Sequence, residues 1–513
     1  LRAIDHSFQA VVHHRRGTAY WKLGDYPAAL AAYDEALVFW RKHGLSYGVA
    51  MTLAETAAVL IDRDQAGDRE RAAQLLDEAL PISRENNDLP RINAALAYRG
   101  RLQRRNGQSV AAIASFEEAL ALWQRQAVPR QEAAIQAELA RTHFEAKDYE
   151  SARRRIAEAI RGYERLRRNF KSDELRATYL ASVREAYVLE VAILEASGDG
   201  SAAHSAAAAG LASAEQSRAR VLLDLLNRSR VDPEARLPRE LFIARRDLES
   251  AVVSAQRRLQ GGLARGLDDT LIAARRAELA EAEGARRRSD EGLRSSDPGA
   301  AAISLPEPAD AATIQSLLAP TDLLLEYLVG ERQAFVLVAS RDQLALVPLG
   351  DPARFAERIP VLLAGLSRPD RSALPATLAA AHELWQLLIH PVEKWLPGHD
   401  RLLISPDGVL HRLPFEALLE QPALTAEPAR QAWLVQRYAV AYLPSASVLA
   451  QLRRSPRIAH AGAPRFVAFA DPTTRSAGPA RHLDPTDRDG TPLVLRRLRG
   501  GAAADSTCGG RSC

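Results

Sequence analysis

The feature of this sequence that most constrains its fold is a segment that recurs four times before residue 161. The copies begin at Gly24, Gly67, Gly107 and Lys147, so their starts lie 43, 40 and 40 residues apart. A unit of this length cannot bury a hydrophobic face by itself, whereas stacked units bury a continuous core. The repeats therefore predict an array of like units rather than one compact domain.

Each copy spaces its small and large residues as packed helices do. In the first copy Gly24 makes the turn, and Ala29, Tyr33 and Ala36 follow it. Spacings of three and four residues put these side chains on one face of a helix. The residues that correspond to Tyr33 in the later copies are Leu76, Phe116 and Ile156. Four copies in phase favour paired, stacked helices over an ordinary amphipathic bundle.

The phased pairs resemble the tetratricopeptide repeat (TPR), although their period exceeds the usual ~34 residues. The resemblance implies an α-solenoid over residues 1–165, whose concave face is lined by the first helix of each pair and commonly binds peptides. The residues whose phase predicts an inward orientation are His14, Thr18, Trp21, Lys22, Arg101, Arg104, Arg105, Arg141 and Phe144.

The predicted inner face is mostly basic and carries two aromatic residues, so we expect it to bind an acidic or carboxylate-bearing peptide. An alternative stays open, because only five of the 68 basic residues are Lys and arginines occur throughout the chain. These arginines would then be ordinary solvated residues.

The middle of the chain, residues 166–304, is predicted to be a helical extension. It includes the segment AEQSRARVLLDLL at 214–226 and a charged helical hairpin over 239–293. A stretch rich in Gly, Ser, Ala and Pro follows, and it predicts a linker with a domain boundary near residue 305.

After Pro320 the periodicity changes from helical to extended. Apolar runs at 323–330, 334–340 and 343–350 are separated by polar turns and predict three short strands. Further strands are predicted at 400–408, 437–445 and 464–472, with a helix around Leu378, Leu384, Leu387 and Leu388. Strands mixed with helices indicate an α/β sheet.

The segments LLISPDGVLHRLPFEALL (402–419), YLPSASVLAQLR (442–453) and FVAFADP (466–472) resemble the opening half of a CHAT domain, the caspase-like module associated with TPRs in bacteria. The helix at 214–226 resembles the one that often precedes it. The resemblance implies an α-solenoid followed by an incomplete α/β caspase-like domain over 305–475. It also implies that the full-length parent is a partner-activated cysteine endopeptidase, with a Cys–His dyad at strand ends.

No catalytic residue can be assigned, because neither member of the dyad is recognisable. No strand that ends in His-Gly follows residue 472, and no apolar strand precedes Cys508 or Cys513. Residues 476–513 are expected to be an irregular, disordered tail, and the chain is expected to stop before the catalytic residues and to be inactive. The alternative is a non-enzymatic scaffold that uses its CHAT part as a docking or dimer surface.

Composition argues against several other classes. A net charge of +4 over 513 residues is weak support for nucleic-acid binding. No apolar run of 18 residues predicts a membrane span. No metal, P-loop or dinucleotide motif is present, so neither a metal nor a cofactor is expected. Both cysteines lie in the last six residues, which fits a reducing cytoplasm.

Overall fold

The computed structural model describes residues 2–126, 128–167, 173–198, 203–230, 239–265, 267–296, 308–367, 372–422 and 431–454. These residues form a helical arm followed by a five-stranded sheet that is covered by helices on both faces. None of the described helices has the length and apolar character that crossing a membrane requires.

The arm begins with eight helices that pair in sequence order, as the repeats predict. They are α1 (Arg2–Lys22), α2 (Tyr26–Lys42), α3 (Ser46–Arg63), α4 (Asp68–Glu85), α5 (Leu89–Arg105), α6 (Ser109–Gln126), α7 (Pro129–Glu145) and α8 (Tyr149–Arg167). The four large residues predicted to fill the space between paired helices are all buried: Tyr33, Leu76, Phe116 and Ile156.

Small residues and caps explain how these pairs form. A Cβ on Gly100 would lie 2.7 Å from the Phe116 ring, so only glycine allows α5 and α6 to approach this closely. Gly107, in the turn between them, has a φ of 73°, which favours glycine. The Asp25 side chain accepts a hydrogen bond from the Ala28 backbone N–H at 3.1 Å and caps α2.

The arm continues with α9 (Asp173–Ser197) and α10 (Ala203–Arg230), which pack against each other. The segment predicted to be a charged hairpin contains α11 (Arg239–Ala264) and α12 (Asp269–Ser296), which contact each other. A short helix, α13 (Ala311–Leu317), precedes the sheet.

The sheet has the strand order β3-β2-β1-β4-β5. Its strands are β1 (Asp322–Val329), β2 (Ala334–Ala339), β3 (Leu344–Gly350), β4 (Arg401–Ser405) and β5 (Ala439–Tyr442). The first three strands are antiparallel, whereas β4 runs parallel to both β1 and β5. The five strands predicted between 323 and 445 are thus confirmed, and the strand predicted at 464–472 lies outside the described residues.

Helices cover both faces of the sheet. The helices that follow β3 and β5 are α14 (Ala353–Ala356), α15 (Arg358–Ser367), α16 (Leu374–Leu388) and α17 (Ala446–Arg454). Leu325 and Tyr327 of β1 pack toward α15 and α16. Leu324 and Leu328 pack on the opposite face against α9, α10, α13 and α17. Strand β1 is buried along its whole length, as expected for a sheet covered on both sides.

Candidate peptide-binding face and its junction with the sheet

The first helices of successive pairs, α1, α3, α5, α7 and α9, contact one another and form the inner row of the arm. Several predicted groove residues meet where α1 and α5 face α3. The Trp21 Nε1–H donates to Asp62 at 2.9 Å, and Arg101 donates to the same carboxylate at 2.5 Å. Tyr98 of α5 packs edge-on against Trp21, with ring centroids 6.4 Å apart. Two of the residues predicted for the groove, Trp21 and Arg101, therefore lie together and share Asp62 as their partner.

The arginines of this surface are paired with carboxylates. Besides its contact with Asp62, Arg101 lies 3.9 Å from Glu138. Arg104 contacts Glu138 at 3.5 Å and Glu145 at 2.6 Å. Arg105 reaches Asp64 at 3.1 Å. Most of the positive charge predicted for this face is therefore neutralised by neighbouring helices.

Aligning the repeats on their helix ends would have revealed some of these acidic partners. Counted back from the last residue of each helix, Asp62 occupies in α3 the position of Trp21 in α1, and Glu55 occupies that of His14. The turn after α3 has four residues, whereas the turn after α1 has three. Gly24 lies two residues past the end of α1, whereas Gly67 lies four residues past the end of α3, so phasing on the turn glycines shifts the second copy by two positions and misses Asp62 and Glu55.

His14 belongs to a hydrogen-bonded cluster and is only 4% exposed. Its Nδ1 lies 3.0 Å from Thr52 Oγ1, and its Nε2 lies 3.3 Å from Glu55. The Tyr33 hydroxyl donates to Glu55 at 2.7 Å. Burial alone would raise the pKa of Glu55, but hydrogen bonds from His14, Tyr33 and Thr18 bring it below its usual value. The structure thus places His14 between helices rather than on an open surface.

The remaining predicted groove residues differ in their surroundings. Lys22 is exposed at the end of α1. Burial and the nearby Glu331 raise the pKa of Glu185 on α9. Arg141 of α7 lies close enough to Glu185 to oppose this rise. Phe144 is partly buried and packs against both Tyr149 and the apolar cluster beneath the sheet. Phe144 therefore joins the arm to the sheet.

Helix α9 also forms hydrogen bonds with the end of strand β1 and with the turn that follows it. Arg184 donates to the Val329 backbone oxygen and lies 3.2 Å from the Asp407 carboxylate. Asp407 accepts a hydrogen bond from the Val329 N–H at 2.7 Å. In the turn after β1, the Glu331 N–H donates to Glu185 at 2.9 Å. A helix of the inner row thus fixes the turns that follow both β1 and β4.

Helix α10 supplies a second attachment at the same edge of the sheet. Arg218 donates to the Tyr327 backbone oxygen and, at 3.1 Å, to the Ser405 hydroxyl. Its guanidinium lies 3.8 Å from the Glu326 carboxyl. One arginine of the segment at 214–226 therefore contacts the parallel neighbours β1 and β4 together.

Two carboxyl groups are fully buried beside Arg218. Both oxygens of Glu215 accept backbone hydrogen bonds at 2.8 Å, from Ala446 and Ser447 at the start of α17. Among the described residues, neither oxygen of Glu326 has a hydrogen-bond partner. Burial and the adjacent Glu215 carboxylate raise the pKa of Glu326 well above its usual value, although Arg218 opposes them. This environment favours the neutral acid of Glu326.

Comparison with protein families identifies both parts of the chain. A tetratricopeptide repeat model matches residues 10–38, and a CHAT domain model matches residues 378–506. The chain has the TPR–CHAT architecture. The CHAT match begins within α16 and extends past the predicted limit at residue 475. It therefore includes most of the predicted tail, 476–513, which lies outside the described residues together with Cys508 and Cys513.

Two solved structures share low similarity with this TPR–CHAT chain. One is a Signal Transduction ATPase with Numerous Domains (STAND) protein with a tetratricopeptide repeat sensor from Pyrococcus horikoshii, at 15% identity and a TM-score of 0.33. The match covers 55% of this chain and 37% of that protein. The other is BtubC (BKLC) from P. vanneervenii, at 18% identity and a TM-score of 0.31, covering 43% of this chain and 82% of that one. Both scores are low, and neither similarity bears on function. No curated protein matches the chain.

The described residues contain no group of three or more His, Cys, Asp or Glu side chains that could hold a metal ion. The candidate site of the described chain is the inner face of the TPR arm, together with the junction that α9 and α10 make with the sheet.

Proposed function

We propose that the chain is a protein-binding arm that takes a peptide on its inner face and conveys this binding to the CHAT domain. The observation that carries the proposal is the double role of α9. It continues the inner row of TPR helices, and its Arg184 and Glu185 hold the end of β1 and the following turn. A ligand that displaces α9 would displace these contacts as well. In TPR–CHAT proteins that carry the Cys–His dyad, the resemblance implies that such coupling switches on a cysteine endopeptidase.

The chemistry of the proposed partner is set by the charges that remain on the inner face. Arg101, Arg104 and Arg105 already face carboxylates, so the case for an acidic peptide rests on Lys22 and Arg141. An acidic side chain of the peptide would also draw Arg141 away from Glu185, and so from the α9–sheet contact. Trp21 and Tyr98, which are half-buried and pack against each other, add an aromatic surface.

Selection of peptides from a displayed random library on the immobilised chain tests the binding. We expect the enriched peptides to be acidic and to bind less tightly as salt rises. The double variant Lys22→Glu with Arg141→Glu should weaken them about tenfold, or ~1.4 kcal/mol. Lys42→Glu, at the exposed end of α2, is the matched control and should leave affinity unchanged. Equal binding by the double variant and the control would refute the inner-face proposal.

Hydrogen exchange with and without a selected peptide tests the coupling. We expect the amides of α9 and of β1 to change protection together, because Arg184 and Glu185 join them. Protection that changes in the TPR helices while β1 stays the same would favour the alternative, a scaffold whose CHAT part serves only as a docking or dimer surface.

A further inference from the structure

A cavity of about 270 Å³ lies between the TPR helices and the charged hairpin. Its lining comes from the ends of α6, α7 and α8 on one side and from α11 and α12 on the other, and it shares no residue with the predicted groove. Arg276 of α12 holds the two sides together, donating to the Gln124 backbone oxygen at 2.8 Å and to that of Arg125 at 3.2 Å. The hairpin is thus fastened to the arm at the margin of the cavity.

Part of the lining of the cavity is apolar. Val252 and Leu259 of α11 are buried, and Leu166 and Leu279 line the walls. The volume is just below the ~300–1,000 Å³ of cavities that hold drug-sized ligands. A smaller molecule with an aliphatic or aromatic body therefore fits this space.

Charged side chains make up another part of the lining, and cations predominate among them. Arg165, Arg276 and Arg286 line the cavity with two acids, Glu132 and Glu283. Burial raises the pKa of Glu132, although Arg165 and Arg276 oppose this shift. The balance of charge is therefore positive, which favours an anionic ligand.

Arg286 is the group best placed to bind that anion. Its Nε is buried and has no hydrogen-bond partner among the described residues. A buried donor without an acceptor carries a desolvation cost that a ligand can remove. A carboxylate matches a guanidinium well, because its two oxygens accept parallel N–H bonds.

We propose that this cavity binds a small carboxylate with an apolar body, which Arg286 and Arg165 hold by its charged end. Val252, Leu259 and Leu279 contact its apolar part. The carboxylate belongs either to a free organic acid or to the carboxyl terminus of a peptide. By filling the space between α12 and the arm, the ligand stabilises the docked hairpin. The site is independent of the inner face, so its failure would leave the proposed peptide binding untouched.

Calorimetric titration of the whole chain tests the site with three probes: N-acetyl-leucine, its uncharged amide, and the pentapeptide Ala-Ala-Ala-Ala-Leu. We expect binding of at least one carboxylate and none of the amide. Arg286→Gln should weaken that binding about tenfold. Arg287→Gln, at the exposed neighbouring position, is the matched control and should bind as the original chain does.

The outcomes separate the two sources of the carboxylate. Tighter binding of the pentapeptide assigns the site to a protein carboxyl terminus, and tighter binding of N-acetyl-leucine assigns it to a small acid. The proposal is overturned if neither binds, if the amide binds equally well, or if Arg286→Gln and Arg287→Gln behave alike. Circular dichroism of both variants establishes that they remain folded.

Discussion

Replacing Glu326 by Gln should remove a pH dependence from the stability of the chain. The pKa of Glu326 is raised in the folded state, first by burial and then by Glu215. Its contribution to stability is therefore fully present below the unfolded pKa of about 4.3, and it is lost as pH rises through the folded pKa. Gln keeps the size of the neutral acid but has no proton to lose.

The size of the effect follows from one proton. At pH values between the unfolded and the folded pKa, Glu326 has lost its proton in the unfolded chain but keeps it in the folded chain. The free energy of unfolding then falls by about 1.4 kcal/mol for each pH unit in this window. The charges that face Glu326 from α10 are Glu215 and Arg218. Both remain in the Glu326→Gln variant, so the difference isolates the single carboxyl group.

Equilibrium urea unfolding at a series of pH values from 5 to 8 measures this difference. We expect the advantage of Glu326→Gln over the original chain to grow with pH. Glu357→Gln, at an exposed position, is the control and should run parallel to the original chain. Parallel curves for Glu326→Gln as well would show that Glu326 is ionised in the folded protein, and the account of the junction would be wrong.

Three further predictions concern the arm, the junction and the chemistry. Arg218→Ala should cost about 1.5–3 kcal/mol in urea unfolding, because it removes hydrogen bonds from a charged donor to β1 and β4; a cost near zero would contradict the role given to this arginine. Gly100→Ala should cost about 1–3 kcal/mol because its Cβ meets Phe116, whereas Gly292→Ala, with open space around it, should be neutral or stabilising. The chain should cleave no peptide, because no Cys–His pair at strand ends is recognisable in its sequence; an activity-based thiol probe whose labelling disappears in Cys508→Ala would disprove this.

The repeat pattern predicted the arm well because each helix carries its own local signal. The turn glycines, the Asp caps and the alternation of small and large residues all lie within one copy. Tyr33 and Phe116 are buried as their spacing predicts. The strands were found for a similar reason, since runs such as LLLEYLVG are apolar at all but one position and the sheet buries both of its faces.

The charge of the inner face and the junction could not be predicted in the same way. The carboxylates that pair with Arg101 and Arg104 come from neighbouring helices about 40 residues away along the chain. Arg184 and Asp407 are 223 residues apart in sequence. Glu326 is the one charged residue in the middle of the apolar strand β1, and only its burial and the packing of α10 on that strand explain why its pKa is raised.

Because α9 and α10 cover one face of the sheet, they limit where such a protein can be divided into parts that fold by themselves. Composition places a boundary near residue 305, and the CHAT match begins only at 378. Yet Val188, Val191 and Leu211, which lie far upstream, cover Leu324 and Leu328 of β1. A gene fragment that began near residue 305 would encode a sheet with one face covered only by α13 and α17, and a fragment that began at 378 would also lack β1, β2 and β3. Recombination that transfers a working CHAT domain to another protein must therefore carry the last two helices of its arm along.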